Sequence, residues 1–397
     1  MEVAGLMSGT SLDGLTIAQI SIEESRSHST EALKRICREA KLHSGITYPF
    51  PRDLRAALSA LAEPGNRITT GVLAAAGKRF GDFAAKSFEQ FLTRKSKVPH
   101  VDLIGFHGQT VYHEPNSKLG TITFQIGDPS PLCFAAGVPV VSDFRTMDTA
   151  AGGQGAPLVP IVDYLRYGSA DISRIVLNIG GISNLTLIPR NCKLKNVRAF
   201  DIGPGNMLID GAVKKLTNSR KEFDEGGKIA SNGRSSEKLL EFIKREDDFR
   251  FLEFPKSTGR ERYSRPFLEK ILSRAKSLGL SLEDIVSTIS TYTVFMIDYH
   301  IREIVEMQSE RVDEIIVGGG GTKNKFLLRE LSRVRPETKI SSHDTYGVPA
   351  RCWESFAFSV IAYLSYHMIT GNVPTATGAV RPVVLGRINY PSNNAIM

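Results

Sequence analysis

The sequence predicts an α/β fold of two related lobes with a cleft between them. Strand patterns alternate with helical patterns along the 397 residues, which is typical of α/β layers. Two hairpins whose loops are made of small residues, at 2–22 and 174–188, open the two halves of the chain. A polar, glycine-rich segment at 148–157 lies between the halves, and we place the domain boundary there.

The first half of the chain combines a hairpin, a helical region and further short strands. Residues 2–7 and 15–22 have strand patterns, and apolar residues follow at helical spacing over roughly 52–95. The stretch "VDLIGFHG" (101–108) predicts a short buried strand that ends in a polar turn. The stretches "TITFQIGDPS" and "VPVVSDF" predict two more strand ends, each closing on an aspartate.

The second half repeats the hairpin and continues with strands and helices. The stretch "RIVLNIGGISNLTLI" (174–188) again places small residues between two apolar strands, which indicates an internal duplication. "VRAFD" predicts a third strand before the helix "MLIDGAVKKL", and 235–310 is mostly helical. "VDEIIVGGGGTKNKFLLREL" (312–331) predicts a strand, a four-glycine turn and a helix, and a last long helix begins near Trp353.

Composition narrows the classes of partner. The formal net charge of +8 and the pI of about 9.2 favour anionic partners, but the basic residues are scattered and no nucleic-acid module is recognisable. We therefore expect no nucleic-acid partner. The most apolar stretch, 356–368, is too short to span a bilayer, and no signal peptide is visible. Four cysteines without a CxxC pair predict neither a zinc site nor a disulfide framework and favour reduced thiols in a cytoplasm.

The loop of the first hairpin, "GTSLDG" (9–14), is a candidate phosphate site. Its glycines let backbone amides approach an anion, and its hydroxyls add donors. A bare phosphate would repel Asp13, which fits better beside a magnesium ion or a substrate hydroxyl. An ordinary hairpin turn explains the same residues equally well.

The four glycines at 318–321 form a second candidate. A turn of this kind can lay its backbone against an aromatic base or a phosphate. A plain strand-to-helix turn is the alternative, although one or two glycines would suffice for it. Neither a Walker sequence nor GxGxxG occurs here, so the P-loop and Rossmann phosphate sites are unsupported.

Several charged residues follow predicted strands. Asp201 in "FDIGPGN" is placed either as a general base or as a helix cap. His107 and the pair in "YHEP" follow a buried strand, and HExxH is absent, so we assign no residue as a metal ligand. The stretch "SDFRTMD" either clamps sugar hydroxyls or a carboxylate or forms an internal ion pair.

Taken together, these motifs resemble the anhydro-N-acetylmuramic acid kinase family. The matching blocks run in the family's order over essentially the whole chain. They are "GLMSGTSLDG", "GFHGQTVYHEP", "FQIGDPS", "DFRTMDTAAGGQGAPLVP", "LNIGGISNLTLI", "FDIGPGN", "KSTGRER", "GGGGTKN" and "VLGRI". One departure is Thr16, at a position where the family usually has Asp.

The resemblance implies the two-lobed, duplicated ribonuclease H-like fold of actin-like ATPases, shared with hexokinases, with the active site in the cleft between the lobes. Lobe I would comprise 1–150 with 355–397, and lobe II 151–354. The resemblance also implies a kinase that uses ATP and Mg²⁺. Water would open 1,6-anhydro-N-acetylmuramic acid, and O6 would take the γ-phosphoryl group, giving N-acetylmuramic acid 6-phosphate in cell-wall recycling.

The resemblance carries over to individual residues. Asp201 would be the base that activates water. The residues expected to bind ATP are Gly9, Thr10, Ser11, Leu12, Asp13, Gly14, Asn178, Gly180, Gly181, Gly203, Gly205, Asn206, Gly318, Gly319, Gly320, Gly321 and Asn324. The residues expected to contact the sugar are His113, Glu114, Asp143, Arg145 and Asp148, with Arg145 opposite the lactyl carboxylate. A homodimer in the cytoplasm is also expected.

Two other functions are compatible with this fold. The first is a kinase for another 1,6-anhydro sugar such as levoglucosan, and the "YHEP" block, typical of the muramic acid enzymes, argues against it. The second is a non-catalytic, ATP-gated clamp of the same superfamily. No partner-binding segment that such a clamp would need is visible in the sequence.

Overall fold

The computed structural model describes residues 1–9, 12–63, 65–94, 100–254, 256, 258, 262–263, 265–308 and 311–391. The chain forms two compact units. Unit 1 contains Met1–Tyr167, Lys193–Val197 and the chain from Gly347 onward. Unit 2 contains Gly168–Cys192 and Arg198–Tyr346.

The strands and helices alternate along much of the chain. The strands are β1 (Glu2–Met7), β2 (Gly14–Ser21), β3 (Lys41–Pro49), β4 (Leu103–Phe106), β5 (Gln109–Ser117), β6 (Gly120–Ile126), β7 (Val140–Ser142), β8 (Arg174–Ile179), β9 (Ile182–Ile188), β10 (Arg198–Pro204), β11 (Glu314–Gly318), β12 (Lys339–Ser342) and β13 (Arg387–Asn389). The helices are α1 (Thr30–Glu39), α2 (Arg52–Ala62), α3 (Thr70–Thr93), α4 (Ser130–Ala136), α5 (Thr146–Ala150), α6 (Pro160–Tyr167), α7 (Met207–Leu216), α8 (Lys228–Asn232), α9 (Glu237–Glu246), α10 (Arg265–Ser277), α11 (Leu282–Gln308), α12 (Lys325–Val334), α13 (Trp353–Tyr366) and α14 (Pro374–Thr377).

Unit 1 is built on a mixed sheet with strand order β13-β7-β4-β1-β2-β3. The first three strands form an antiparallel meander, and β4 and β7 run parallel to β1. Helix α13 packs closely on this sheet because glycines face it. A Cβ on Gly5 would stand 1.9 Å from the Ser355 carbonyl oxygen, and a Cβ on Gly105 would stand 2.6 Å from that of Phe358. Strands β5 and β6 form a separate hairpin.

Unit 2 repeats this arrangement. Its sheet has the order β10-β9-β8-β11-β12, in which β8, β9 and β10 form an antiparallel meander and β11 and β12 run parallel to β8 and β11 respectively. The same five-strand order and the same strand directions occur in unit 1 as β3-β2-β1-β4-β7. The two copies of one topology confirm the predicted α/β fold and its internal duplication.

The unit boundaries differ from those expected. Residues 151–167 lie in unit 1 because α6 packs on α1, where Arg166 Nη1 donates a hydrogen bond of 2.7 Å to the Cys37 carbonyl. Residues 347–354 also lie in unit 1. The amino-acid composition does not change where either segment ends. The packing of one helix face therefore decides to which unit each segment belongs.

The topology places the candidate residues at one edge of each sheet. The parallel strands β1, β4 and β7 end before Ser8, His107 and Asp143, and β8 and β11 end before Gly180 and Gly319. Ligands of open α/β sheets bind outside the carboxyl ends of the strands. Within the described residues, no helix has the length and apolar character needed to cross a bilayer.

Candidate active site

Two turns of unit 2 lock together through backbone hydrogen bonds. The turn between β8 and β9 contains Gly180 and Gly181, whose carbonyl oxygens accept from the backbone N–H groups of Asn206 (2.8 Å) and Gly205 (2.9 Å). A Cβ on Gly205 would stand 2.3 Å from the Gly180 oxygen. Glycine is therefore required at 205, and the second hairpin and the "GPGN" turn form one surface made mainly of backbone.

The four-glycine turn packs against the same hairpin. Gly318 pairs with Asn178 across the parallel strands β11 and β8. A Cβ on Gly319, where φ is +76°, would stand 2.4 Å from Asn178 Oδ1, and one on Gly321 would stand 2.4 Å from Ile179 Cγ2. Contact with the neighbouring strand β8 thus accounts for the glycines at 319 and 321. The structure brings this turn together with both turns described above.

Asn324 lies just beyond the four-glycine turn and caps α12. Its Oδ1 accepts hydrogen bonds from the backbone N–H groups of Phe326 (3.1 Å) and Leu327 (3.2 Å), and the residue is buried. These bonds satisfy the unpaired donors at the start of the helix. The side-chain oxygen of Asn324 therefore serves the helix, and its expected contact with ATP stays a prediction.

Asp201 lies on β10, the edge strand of the unit 2 sheet. Its Oδ2 accepts a hydrogen bond from the Thr258 backbone N–H (2.9 Å), and its own N–H donates to the Lys256 carbonyl (3.1 Å). Helix α7 begins at Met207 with Asn206 in the capping position, so Asp201 is not the cap. Gly203, two residues on, has φ of +119° and faces Tyr263 and Met296.

The first loop is anchored at both of its described ends. The Gly9 carbonyl accepts from the Leu12 N–H (3.3 Å) and from Gln109 Nε2 (3.5 Å). The Leu12 side chain is buried in the core of unit 1 with φ of +57°, so it anchors the loop. Asp13 is exposed, 3.9 Å from Arg55 Nη2. Thr10 and Ser11 lie outside the described residues.

The start of β2 is close-packed. A Cβ on Gly14 would stand 2.3 Å from the Tyr48 carbonyl oxygen of β3. Gly14 is also buried, so it permits this contact between strands. The second glycine of the loop is therefore explained by strand packing.

Arg145 is the centre of a charged cluster in unit 1. Its Nε donates to His107 Nε2 (3.2 Å), and His107 Nδ1 accordingly donates to the Gly108 carbonyl (3.0 Å). Burial, with the Arg145 charge, lowers the pKa of His107 to about 3, so this ring is neutral. Burial lowers the pKa of Arg145 to about 10, against the opposite effect of the Glu354 carboxylate.

His113 and Glu114 belong to opposite faces of β5. Loss of hydration, followed by the Arg145 charge, lowers the pKa of His113 to about 4. Successive residues of a strand point to opposite faces. Both residues are exposed, and Glu114 Oε2 accepts from the Tyr112 hydroxyl (2.5 Å). The two side chains expected to contact one sugar therefore lie on opposite faces of β5.

Asp143 lines a cavity of ≈ 250 Å³ at the strand ends of unit 1. Its Oδ2 lies 3.0 Å from Arg387 Nε, and its Oδ1 accepts from the Thr146 hydroxyl. Phe106, Ile126 and Pro129 form the apolar wall of the cavity. A guanidinium beside a carboxylate offers donors and acceptors together, which suits a carbohydrate.

Asp148 is fully buried and supports two loops. Its Oδ1 accepts from Asn372 Nδ2 (2.7 Å) and Thr377 Oγ1 (2.8 Å), and its Oδ2 accepts from the Gly155 N–H (2.8 Å). The expectation that Asp148 contacts the sugar is corrected here, since the carboxylate has no exposed surface. Its place in the motif reflects the ordering of the glycine-rich segment.

Sequence reasoning missed three residues. Glu354 has its pKa raised by burial beside Arg145, Arg387 pairs with Asp143, and Lys256 bonds to Asp201. Arg387 and Lys256 lie inside blocks that the sequence does mark, "VLGRI" and "KSTGRER". Glu354 carried no such signal. Within the part of the chain that the structure describes, no group of three or more His, Cys, Asp or Glu residues is arranged to hold a metal ion.

Comparison with known proteins gives a consistent family. The profile described as "Anhydro-N-acetylmuramic acid kinase" matches residues 1–391. The protein of that name from Caldanaerobacter subterraneus subsp. tengcongensis is 33% identical over 394 residues, covering 98% of this chain and 96% of the relative. That from Bacillus cereus strain AH187 is 36% identical over 396 residues, covering 99% and 100%.

Among solved structures, the activator of the 2-hydroxyisocaproyl-CoA dehydratase from Clostridium difficile is a remote likeness. Its sequence is 13% identical to this chain, and the TM-score is 0.43. The alignment covers 91% of this chain and 94% of the activator.

Proposed function

Because the chain belongs to the anhydro-N-acetylmuramic acid kinase family, we propose that it phosphorylates 1,6-anhydro-N-acetylmuramic acid with ATP. The water oxygen bonds to C1 as the C1–O6 bond breaks, and one water proton goes to the enzyme base. O6 then bonds to the γ-phosphorus as the bond to ADP breaks. The products are N-acetylmuramic acid 6-phosphate and ADP, formed in peptidoglycan recycling.

The observation that carries this proposal is the convergence of three glycine turns in unit 2. Gly180, Gly205 and Gly319 are held so close to their neighbours that a Cβ would clash at 205 and 319 and stand 3.3 Å away at 180. Such a surface offers backbone groups rather than side chains, as nucleotide phosphates and bases require. We assign the ATP-binding surface of unit 2 to these turns.

Asp201 is the proposed base. It lies three residues before Pro204, which ends β10 at the locked turns, and the Thr258 N–H orients its carboxylate. A carboxylate held in this way can take the proton of an attacking water. Phosphoryl transfer itself needs positioning and charge neutralisation more than covalent help, so one base suffices.

The first loop is proposed to contact the terminal phosphates of ATP. Asp13 is the exposed carboxylate that would hold Mg²⁺ through its water shell, since Mg²⁺ keeps several waters and needs only one or two carboxylates beside phosphates. When bound, Mg²⁺ would neutralise charge on the phosphates. Gly9 and the backbone of Leu12 shape the loop around that position.

The sugar is proposed to bind at the strand ends of unit 1. Arg145 remains charged at neutral pH and is proposed to bind the lactyl carboxylate, with His113 beside it. Asp143 and Arg387 are proposed to bind polar groups of the sugar in the ≈ 250 Å³ cavity. Asp148 supports the loops around them.

Mass spectrometry of the product formed in oxygen-18 water tests the function directly. Incubation with ATP and 1,6-anhydro-N-acetylmuramic acid should give a 6-phosphate that carries the label at C1. Levoglucosan, which lacks the acetamido and lactyl groups, should turn over far more slowly. Faster turnover of levoglucosan would favour the other sugar kinase, and ADP release unaffected by either sugar would favour a non-catalytic clamp.

A cytoplasmic homodimer is proposed as the working form. The resemblance to the family supports the dimer, and four free cysteines, three of them buried, suit a reducing compartment. Light scattering should give twice the 43.6 kDa mass of one chain. A single-chain mass at micromolar concentration would contradict the dimer.

A further inference from the structure

Lys256 and Thr258 hold Asp201 from two sides. The Lys256 carbonyl accepts the Asp201 backbone N–H (3.1 Å), and the Thr258 N–H donates to the Asp201 carboxylate (2.9 Å). Because β10 is the edge strand of its sheet, Lys256 satisfies a donor that no neighbouring strand takes. The orientation of the Asp201 carboxylate therefore depends on where Lys256 and Thr258 are held.

The side chain of Lys256 fixes the position of that residue. Its Nζ donates to the Arg250 carbonyl (3.1 Å) and lies 3.3 Å from Glu303 Oε2 on α11. The ammonium also lies 4.4 Å from the centre of the Phe254 ring. Only 1% of the Lys256 side chain is exposed, so the charge is bound on several sides within unit 2.

Burial of a lysine at this position costs free energy. Removing an ammonium from water costs several kcal/mol, and a well-packed apolar side chain of similar size is often no less stable. An apolar side chain makes no hydrogen bonds that would fix its position. The ammonium of Lys256, by contrast, is held in one place by its two partners. The geometry thus favours a lysine kept for position rather than for stability.

We propose that Lys256 is a positioning residue for Asp201, acting through Glu303 and the backbone contacts at 256 and 258. This inference rests on the proposed function, in which Asp201 is the base. Loss of the Lys256 charge should let the backbone of Lys256 and Thr258 shift, so that the Asp201 carboxylate leaves the position from which it takes the water proton. A misplacement of about 1 Å can lower a rate by about 100-fold.

Steady-state kinetics of Lys256→Met test the proposal. The variant keeps the length and apolar stem of the side chain and loses its charge. We expect kcat to fall by about 10- to 100-fold, with KM for ATP and for the sugar within about threefold of wild type. Lys256→Arg should recover part of the rate because it keeps the charge, and Glu303→Gln should lower kcat in the same direction by a smaller factor.

Lys215→Met is the matched control. Lys215 pairs with Glu269 in an exposed ion pair of the same unit, so its loss should leave kcat unchanged. Hydrogen exchange supplies a readout independent of turnover: the amide of Asp201 should exchange faster in Lys256→Met and as in wild type in Lys215→Met.

The outcomes separate the inference from the function on which it rests. An inactive wild-type enzyme would overturn the proposed function. An active wild type with unchanged kcat in Lys256→Met, or with slowed kcat and an unchanged Asp201 amide, would overturn the positioning inference alone. Should Lys256→Met fail to fold, Glu303→Gln gives the decisive test, and wild-type kcat in that variant would overturn it.

Discussion

At the strand ends of unit 2 the polypeptide presents mainly backbone, whereas at the corresponding strand ends of unit 1 it presents charged and aromatic side chains. Gly180 and Gly319 follow β8 and β11 in unit 2. His107 and Asp143 follow β4 and β7 in unit 1, with Arg145 close behind. The same five-strand topology therefore carries two chemistries. The comparison teaches that the duplicated sheet fixes where a ligand can bind, while the loops decide which ligand class suits each copy.

The largest expected effect is on the proposed base at the unit 2 edge. Asp201→Asn keeps the shape of the side chain and removes its basicity, so kcat should fall by about 10²–10⁴-fold or more. ATP binding, measured by calorimetry, should change little because the glycine turns are untouched. Asp171→Asn, at an exposed position of the same unit, should behave as wild type. Near-normal turnover in Asp201→Asn would show that Asp201 is not the catalytic base.

A methyl group on the four-glycine turn should damage the backbone surface. In Gly319→Ala the new Cβ meets Asn178 Oδ1 at 2.4 Å, and φ of +76° adds strain. We expect KM for ATP to rise about 10- to 100-fold, with KM for the sugar nearly unchanged. Gly347→Ala is the matched control, since its φ is +79° but nothing lies within 4 Å. Equal rises in KM for ATP in the two variants would show that backbone strain, and not the contact with Asn178, causes the effect.

The reverse pattern is expected for the charged edge of unit 1. Arg145→Lys keeps the charge and loses the planar fork, so KM for the anhydro sugar should rise about tenfold, with KM for ATP unchanged. Arg302→Lys, at an exposed position on α11, is the control. A rise in KM for ATP alone would show that the strand ends of unit 1 do not bind the sugar as proposed.

The last effect is on stability and not on turnover, and it tests the scaffold beneath the unit 2 edge. Burial raises the pKa of Glu314, but hydrogen bonds from four neighbours outweigh burial and lower its pKa to about 2. Those neighbours are Tyr346, Arg174, Lys339 and Ser341. Because the folded pKa lies below the unfolded value of 4.5, this stabilisation is present above pH 4.5 and is lost as the pH falls toward 2.

Glu314→Gln should accordingly lower the free energy of unfolding at pH 7 by about 2–3 kcal/mol. The difference from wild type should shrink as the pH falls from 5 to 2. Hydrogen exchange of unit 2 amides at pH 7 and pH 3 measures both quantities. A difference that stays constant with pH would show that packing, rather than the charge of Glu314, is responsible.

Much of the fold and part of the site could be predicted from the sequence. The two hairpins predicted the duplication because strand periodicity and small-residue turns are local properties of the chain. The glycine turns were predicted for the same reason. Asp148 was misassigned because a polar residue in a motif looks alike whether it contacts a ligand or completes the protein's own hydrogen bonds.

The sequence by itself determined the α/β class, the duplication and the family, since nine ordered blocks and their strand patterns lie along the chain itself. Only the tertiary structure decided why the turn at 318–321 needs Gly319 and Gly321, where residues 151–167 belong, and that Lys256 and Thr258 hold Asp201. The reason is physical: Gly319 meets Asn178, and Asp201 meets Lys256, across long stretches of intervening chain. Such contacts follow from how sheets and helices pack, which no local periodicity records.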